Sequence, residues 1–328
     1  MMEERAKEIF IGPAGPEDRK QAACLWEKVF EDDKGYIQLF FSKYFALDTC
    51  WVLKEEGALV CAVYLLPFGV LDGGEEKPRT IGALSFSSKE DVPCVYAFGT
   101  LPGRRGKGLG KTLLSAALSA SSKKGELWSV ICPARKELFS YYEKAYGYQS
   151  RFSVAELPLF YEKRGEEKAC VRILPLSEKA YNRERERLLS GFFHLRFHNE
   201  AIGLQKEICR LYGGDLYLLE YEDGKKGCFC AFREGERLLV KELLLPELEK
   251  GEGMRPAELF DQLRAFTPAL QDAFGKRKGY IRMPEKAGAA LLEAGSKPVW
   301  IRDFAMLLSL QGQPLPFEEK GYFGLAFD

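Results

Sequence analysis

The 328-residue sequence has no excess of either charge, only two histidines and no apolar run of membrane-spanning length. Lysine plus arginine and aspartate plus glutamate number 48 each, whereas a protein that binds nucleic acid or a membrane surface usually has a basic domain. Residues 1–20 carry charges where a signal peptide needs an apolar segment. We therefore expect a cytoplasmic protein with neither a nucleic-acid nor a membrane partner.

Metal-binding patterns are also missing. The nine cysteines form no Cys-x-x-Cys pair, and their scattered positions in apolar runs are typical of buried thiols in a reducing compartment. His194 and His198 would share one face of a helix and could bind a metal or act as bases. Because no third ligand is within reach in the sequence, a packed or capping role is favoured, and we expect no metal site.

The chain is too long for one ordinary core and fits two domains. In the first half a strand, a glycine-rich turn, a helix, a strand and a second helix follow one another, which predicts parallel strands covered by helices. The second half repeats this order more weakly. The charged segment 162–168 marks the expected boundary, with domains at 1–161 and 169–328. The expected elements are strands 50–54, 59–67, 80–86, 92–100, 127–132, 215–222, 227–233, 238–245, 279–283 and 300–310, and helices within 17–45 and over 109–124, 136–145 and 256–266.

The glycine-rich turn carries the strongest chemical signal. It contains Gly106, Gly108 and Gly110, which leave room for an anion to approach the unpaired amides at the start of the following helix. Four cations surround it, and the helix dipole adds positive potential. These cations are Arg104, Arg105, Lys107 and Lys111. The segment predicts a phosphate or pyrophosphate site.

Two nucleotide-binding motifs fit this turn poorly. A P-loop would need a glycine at position 105, which is arginine, and no later strand ends in an acidic residue for magnesium. A dinucleotide-binding motif needs Gly-x-Gly-x-x-Gly, and the spacing after Gly108 is wrong for it.

The turn resembles the pyrophosphate motif of the GNAT N-acetyltransferase superfamily, Arg/Gln-x-x-Gly-x-Gly/Ala. The matching residues run from Arg105 through Gly108 to Gly110. The later string Ser140–Tyr148 is similar to the Tyr-Glu-Lys-x-Gly-Phe signature of that family. Together the two motifs cover about fifty residues.

This resemblance implies an acetyl-CoA site in the first domain. The outer strand would lend backbone groups to the pantetheine arm, the turn would hold the pyrophosphate, and the next strand would border the cofactor. The residues implied for these roles are Phe98, Gly99, Thr100, Arg105, Gly106, Lys107, Gly108, Leu109, Gly110, Lys111, Pro133 and Ala134.

The resemblance also implies a tyrosine that protonates the departing thiolate. Tyr142 is the candidate, although it precedes the glycine by five residues where the family commonly has four, so Tyr141 or Tyr146 could match instead. All three could equally be core aromatics.

A general base is not evident, because residues 95–100 contain no carboxylate. Either a chain of water molecules deprotonates the amine, or a carboxylate arrives from elsewhere in the chain. The double-GNAT arrangement resembles that of the enhanced-intracellular-survival type acetyltransferases, whose terminal carboxylate enters the first domain. This implies that the carboxylates of Asp328 act as the base, unless the apolar tail 321–328 only completes the second domain.

The second copy is expected to bind no cofactor. Its turn carries Glu247, Glu249 and Glu252, which would repel a pyrophosphate. Glu242, on the preceding strand, is interpreted as structural or substrate-facing.

The sequence thus predicts an α/β (α+β) protein with two tandem GNAT-like domains. Each has a mixed, centrally parallel sheet flanked by helices, and the second is degenerate. The expected activity is transfer of an acetyl group from acetyl-CoA to a primary amine on a small molecule or peptide. The alternative is a non-catalytic acyl-CoA-binding scaffold, and a homo-oligomer is compatible with either.

Overall fold

A computed structural model of the chain describes residues 8–72, 91–159, 171–275, 277–296, 298–314 and 319–325. The chain divides into two compact units, each built from separate stretches of sequence. Unit 1 comprises 1–68, 85–149 and 306–314, and unit 2 comprises 69–84, 150–305 and 315–328. None of the described helices is long and apolar enough to cross a membrane.

The described residues of unit 1 form a mixed sheet and four α-helices. Its strands follow the order β1-β2-β3-β4-β5-β13, in which β4 and β5 are parallel and the β1–β2, β2–β3 and β5–β13 pairs are antiparallel. The elements are β1 (Ile9–Pro13), α1 (Asp18–Phe30), α2 (Lys34–Lys43), β2 (Cys50–Glu55), β3 (Ala58–Asp72), β4 (Asp91–Thr100), α3 (Leu109–Lys124), β5 (Trp128–Ile131), α4 (Lys136–Tyr146) and the last residues of β13 (Trp300–Ser309).

The core of unit 1 lies between α3 and the sheet. Leu113, Leu114 and Ala117 recur at helical spacing and are wholly buried against strand residues such as Val95 and Ile131. Burial of each leucine stabilises the fold by about 1.5–3 kcal/mol. This packing fixes the start of α3 next to the end of β4.

The described residues of unit 2 repeat this order of elements, with an additional strand between the first two helices. Its strands follow the order β7-β9-β10-β11-β12-β6, in which β11 and β12 are parallel and β12 and β6 are antiparallel. The elements are β6 (Gln149–Pro158), β7 (Val171–Pro175), α5 (Glu178–Leu188), β8 (His194–Phe197), α6 (Asn199–Leu211), β9 (Asp215–Tyr221), β10 (Lys226–Glu234), β11 (Arg237–Leu244), α7 (Pro256–Phe274), β12 (Lys278–Pro284) and α8 (Glu285–Glu293).

Each parallel pair is completed by a strand from the other half of the sequence. Met306–Ser309 of β13, which follows α8, pair with β5. Val154–Pro158 of β6, which follows α4, pair with β12. The expected linker 162–168 lies outside the described residues. Residues 150–159 belong to unit 2 and residues 306–314 belong to unit 1. A single division of the chain at 162–168 would assign both segments to the other unit.

Several expected elements differ from those observed. The helical region 17–45 is two helices, because Glu31 is left-handed (φ 58°) and the Asp33 side chain caps α2. The helix expected to end at residue 266 continues through Pro268 to Phe274. The expected strand 80–86 lies outside the described residues. His194 begins β8 and His198 precedes α6, so the two histidines do not share a helix.

Candidate functional site

The first turn of α3 is open and has no side-chain cap. Gly108, the residue before the helix, is left-handed (φ 76°), and no side chain caps the amides that follow it. Gly106 is also left-handed (φ 77°), and nothing lies within 4 Å of the position a Cβ would take at either glycine. The unpaired amides and the dipole of a 16-residue helix therefore face open space.

The four cations of the turn divide into two kinds. Arg104 is bound to Glu55 of β2 through a 3.1 Å contact between Nε and the carboxylate. Arg105 donates from Nε to the carbonyl of Thr100 at 3.1 Å, which holds its exposed guanidinium beside the turn. Lys107 and Lys111 are exposed. Arg105 and these two lysines thus supply the positive charge available to a ligand.

The strands β4 and β5 separate where the turn begins. They pair in parallel only at Cys94–Val130 and Val95–Ile131, although β4 continues to Thr100. Ala97 has a positive φ of 41° within β4, so the strand bends after the last paired residue. Backbone groups beyond the bend are not paired with β5.

The end of β4 is packed tightly on both sides. A Cβ on Gly99 would lie 2.8 Å from Val29 of α1, and one on Gly110 would lie 3.1 Å from Phe98 and 3.2 Å from Thr100. Phe98, Gly99 and Thr100 are therefore adjacent to the first turn of α3, where Leu109 and Gly110 are half-buried. Beyond β5, Pro133 is buried and Ala134 exposed, at the carboxyl edge that β4 shares. The predicted cofactor residues come together here.

Cys61 of β3 contacts the last residue of β4. Its Sγ is 3.1 Å from Oγ1 of Thr100. Burial raises the pKa of the Cys61 thiol to about 11, although the Thr100 hydrogen bond opposes the shift. The thiol is therefore protonated at neutral pH and is not a thiolate nucleophile.

The candidate tyrosines lie on α4. Tyr142 is 7% exposed and packs in the core of unit 1, with ring centroids 5.2 Å from Tyr141 and 6.1 Å from Tyr146. Burial raises the pKa of Tyr142 and Tyr146 above the ordinary value, so both phenols are protonated at neutral pH. Tyr141 is exposed, with its hydroxyl 3.4 Å from that of Tyr146. Tyr148 hydrogen-bonds Ser129 at 2.8 Å inside the core.

The C-terminal segment is docked within unit 2, and Asp328 itself lies outside the described residues. Gly321 forms a bridge with Phe152 of β6, and Tyr322 forms one with His194 of β8. The amide of Ser153 donates to the Gly321 carbonyl at 3.1 Å. Residues 321–322 thus extend the sheet pairing of unit 2.

In unit 2, the loop matching the glycine turn contains its own anion. Glu247 is 1% exposed, and its carboxylate accepts the backbone amide of Arg255 at 2.9 Å, just before α7. Lys250 also pairs with it at 2.9 Å. The Glu247 carboxylate therefore lies at the start of α7, whereas the matching position at the start of α3 in unit 1 is open.

Glu242 is a structural residue. It is wholly buried on β11, accepts a 2.7 Å hydrogen bond from the Tyr181 hydroxyl, and lies 3.2 Å from Nε of Arg185. The sequence left a structural and a substrate-facing role open for Glu242, and these contacts favour the structural role.

Two features of the site were not predicted from sequence. The bend at Ala97 has no local signal, since alanine seldom adopts positive φ. The pairing of Arg104 with Glu55 depends on strand contacts about fifty residues apart in sequence. The tight packing at Gly99, in contrast, has a signal, because a glycine within a strand marks close approach.

Comparison with known families decides the identity of this region. Residues 11–150 match the model of an acetyltransferase (GNAT) domain. This segment of the chain is a GNAT domain. It contains β4, the glycine turn, α3 and α4. A comparison with curated proteins gives no significant match.

Solved structures share the fold over most of the chain. A GCN5-related N-acetyltransferase from Anabaena variabilis is 18% identical with a TM-score of 0.65, and the match covers 93% of this chain and 73% of that one. Eis1 from Mycobacterium abscessus is 14% identical (TM-score 0.58; coverage 92% and 74%). A tandem GNAT protein from the clavulanic acid biosynthesis pathway is 14% identical (TM-score 0.52; coverage 94% and 100%). The fold is therefore that of double-GNAT proteins, with the GNAT domain as its first copy.

Proposed function

We propose that the protein is an acyl-CoA-dependent N-acyltransferase that moves an acetyl group to a primary amine. The open, uncapped start of α3 beside the bend of β4 carries this proposal, because uncapped helix amides there lie next to a strand segment that is not paired with β5. The pyrophosphate would be held by the amides of 106–111 and by Arg105, Lys107 and Lys111. Acetyl-CoA, the co-substrate of GNAT acetyltransferases, would supply an activated acyl thioester.

The proposed mechanism is direct attack by a neutral amine in a ternary complex, without a covalent enzyme intermediate. A backbone amide of Phe98–Thr100 would polarise the thioester carbonyl. Tyr142 would donate a proton to the departing sulfur, since its phenol is protonated at neutral pH. The terminal carboxylates of Asp328 would accept the proton of the amine.

The acceptor would be a small molecule or peptide. We place the protein in the cytoplasm, because its cysteines are scattered through apolar runs and none of the eight that the structure describes forms a disulfide.

Titration calorimetry with acetyl-CoA, with magnesium-ATP as comparison, tests the cofactor site. We expect a Kd on the order of micromolar, about −8 kcal/mol, for acetyl-CoA only. The double variant Arg105→Glu/Lys111→Glu should lose this binding. Its matched control, Lys123→Glu/Lys124→Glu, reverses two charges at the other end of α3 and should keep it. Magnesium-dependent binding of ATP, or equal behaviour of the two variants, would refute the site.

A second candidate function is acyl-CoA binding without catalysis. The lack of a carboxylate on residues 95–100 of β4 favours it. Release of CoA thiol in the presence of amines separates the two functions. In an enzyme, Tyr142→Phe should slow turnover while acetyl-CoA binding is kept, and deletion of Asp328 should lower the rate most below the pKa of the amine. Tight binding with no thiol release from any amine would establish the scaffold.

A further inference from the structure

Cys209 of α6 and Cys230 of β10 contact each other inside unit 2. Their sulfur atoms are 3.3 Å apart, and both side chains are wholly buried. A disulfide bond is about 2.05 Å long, so the two sulfurs need to approach by only about 1.3 Å to form one. The proposed acetyl transfer uses neither thiol.

The segment that follows α6 lies directly on β10. The carbonyl of Tyr212 accepts a hydrogen bond from the amide of Arg233 at 3.0 Å. A Cβ on Gly214 would overlap the carbonyl oxygen of Ala231, the residue after Cys230. These contacts hold the end of α6 against the strand and therefore keep the two sulfurs together.

Polar groups surround the two sulfurs where an apolar core needs none. Nε2 of Gln205, one helical turn before Cys209, donates to the Cys209 sulfur at 3.3 Å. Gln205 is wholly buried, and its Oε1 has no hydrogen-bond partner among the described residues. β11 bulges opposite Cys230, and the extra residue is the buried Lys241, whose positive charge acts on both sulfurs. Buried polar groups are costly, and a redox role is one reason for a fold to keep them.

The two thiols differ in their tendency to ionise. Burial opposes ionisation of the Cys209 thiol. Hydrogen bonds from Cys230 and Gln205 and the charge of Lys241 outweigh burial and hold the pKa of this thiol below the ordinary value. Burial raises the pKa of Cys230 well above the ordinary value. Cys209 is therefore the sulfur that ionises first, and Cys230 stays protonated beside it.

We infer that Cys209 and Cys230 form a redox-modification site, which hydrogen peroxide converts to a disulfide in the folded protein. This inference is independent of the proposed function. Disulfides of cytosolic proteins are usually transient and redox-sensing, and a thiol reductant would reverse this one. Hydrogen peroxide is little larger than water, and we expect it to reach the buried sulfurs through local opening of unit 2.

The reaction has two steps. The Cys209 thiolate attacks one oxygen of the peroxide, the O–O bond breaks, and the sulfur becomes a sulfenic acid. The departing hydroxide takes up the proton that the Cys209 thiol had lost. The Cys230 sulfur then attacks the sulfenic sulfur, so that the S–S bond forms, the S–O bond breaks, and the thiol proton leaves with the hydroxyl group as water. The two thiols lose two electrons in total, and the peroxide is reduced to two water molecules.

Peptide mapping by mass spectrometry tests the site. Reduced full-length protein is treated with hydrogen peroxide, its remaining thiols are alkylated, and the tryptic digest is examined for cross-linked peptides. We expect a bond between Cys209 and Cys230 that dithiothreitol removes. In Cys230→Ser the cross-link should be absent, and dimedone should trap the sulfenic acid on Cys209.

The matched control is Cys228→Ser, which removes a second buried thiol of β10 and should keep the cross-link. This variant also leaves Cys230 as the one cysteine between Lys226 and Arg233, so its tryptic peptide assigns the bond without ambiguity. Circular dichroism before and after oxidation shows that the protein stays folded.

Urea denaturation gives a second readout. The bond would join residues 21 positions apart, and it should lower the equilibrium constant of unfolding on the order of a hundredfold. Peroxide-treated Cys230→Ser should show no such gain. Absence of the cross-link from folded protein, under conditions that oxidise the exposed Cys24, would overturn the inference. So would a cross-link that forms only in urea, or one that makes the protein less stable.

Discussion

Removing the charge of Glu242 should destabilise the protein strongly, although the residue takes no part in the proposed chemistry. Arg185 and Glu242 are both wholly buried, and Nε of Arg185 lies 3.2 Å from each carboxylate oxygen. Arg185 also donates to Glu186 at 3.1 Å and to the carbonyls of Leu195 and Phe323 at 2.9 and 3.3 Å. In Glu242→Gln, the buried guanidinium keeps one carboxylate partner and faces a neutral amide.

Breaking a buried ion pair by removing one partner costs about 3–5 kcal/mol. Because Glu186 remains in contact with Arg185, we expect the free energy of unfolding to fall by about 3 kcal/mol, near the lower end of this range. Urea denaturation followed by circular dichroism measures the change. The matched control is Glu220→Gln, which breaks an ion pair with the exposed Arg172 and should cost at most about 1 kcal/mol.

A double variant separates the loss of charge from the loss of packing. In Arg185→Met/Glu242→Leu both charges are replaced by apolar groups, and the free energy of unfolding should fall less than in Glu242→Gln alone. If Glu242→Gln is no more destabilising than Glu220→Gln, the ion pair contributes nothing beyond an exposed one and the reasoning fails.

Two further predictions concern the sheet. A chain that ends at residue 161 lacks Met306–Ser309, the partner of β5. We expect this fragment to show no cooperative unfolding transition in urea, whereas the full chain should show one. Cooperative unfolding of the fragment would show that β13 is dispensable. Burial of Glu156 raises its pKa, but Arg302 and Arg282 hold the pKa below the ordinary 4.5. The contribution of the ionised carboxylate to the free energy of unfolding is therefore complete above that value. It is lost as the pH falls through the lower pKa of the folded state. Glu156→Gln should therefore cost about 1.5 kcal/mol at neutral pH and progressively less under acid conditions, and an equal cost at both would contradict this assignment.

The strand, turn and helix that would form the proposed anion site were predictable because their determinants are local in sequence. The glycines, the flanking cations and the apolar spacing of α3 lie within about twenty residues, and the predicted helix bounds 109–124 agree with the observed Leu109–Lys124. Strand β4 was likewise expected within one residue of its observed start. The family model over 11–150 confirms the resemblance drawn from these motifs.

Elements with weaker local signals were less well predicted. The region 17–45 was expected to be helical as a whole, but the left-handed conformation of Glu31 and the cap at Asp33 divide it into α1 and α2. This division creates the loop that carries Asp32, which accepts a hydrogen bond from Trp26 of α1.

The sequence by itself determined the parallel strand–turn–helix unit and its open helix start, since capping and glycine conformation act between near neighbours in the chain. Only the tertiary structure decided which strands complete each sheet, that Arg104 is committed to Glu55, and that Glu247 fills the matching position of unit 2. These outcomes depend on contacts between residues that are distant in sequence, or on which of several glutamates is buried. Hydrophobic spacing predicts that a strand is buried but does not specify its partner.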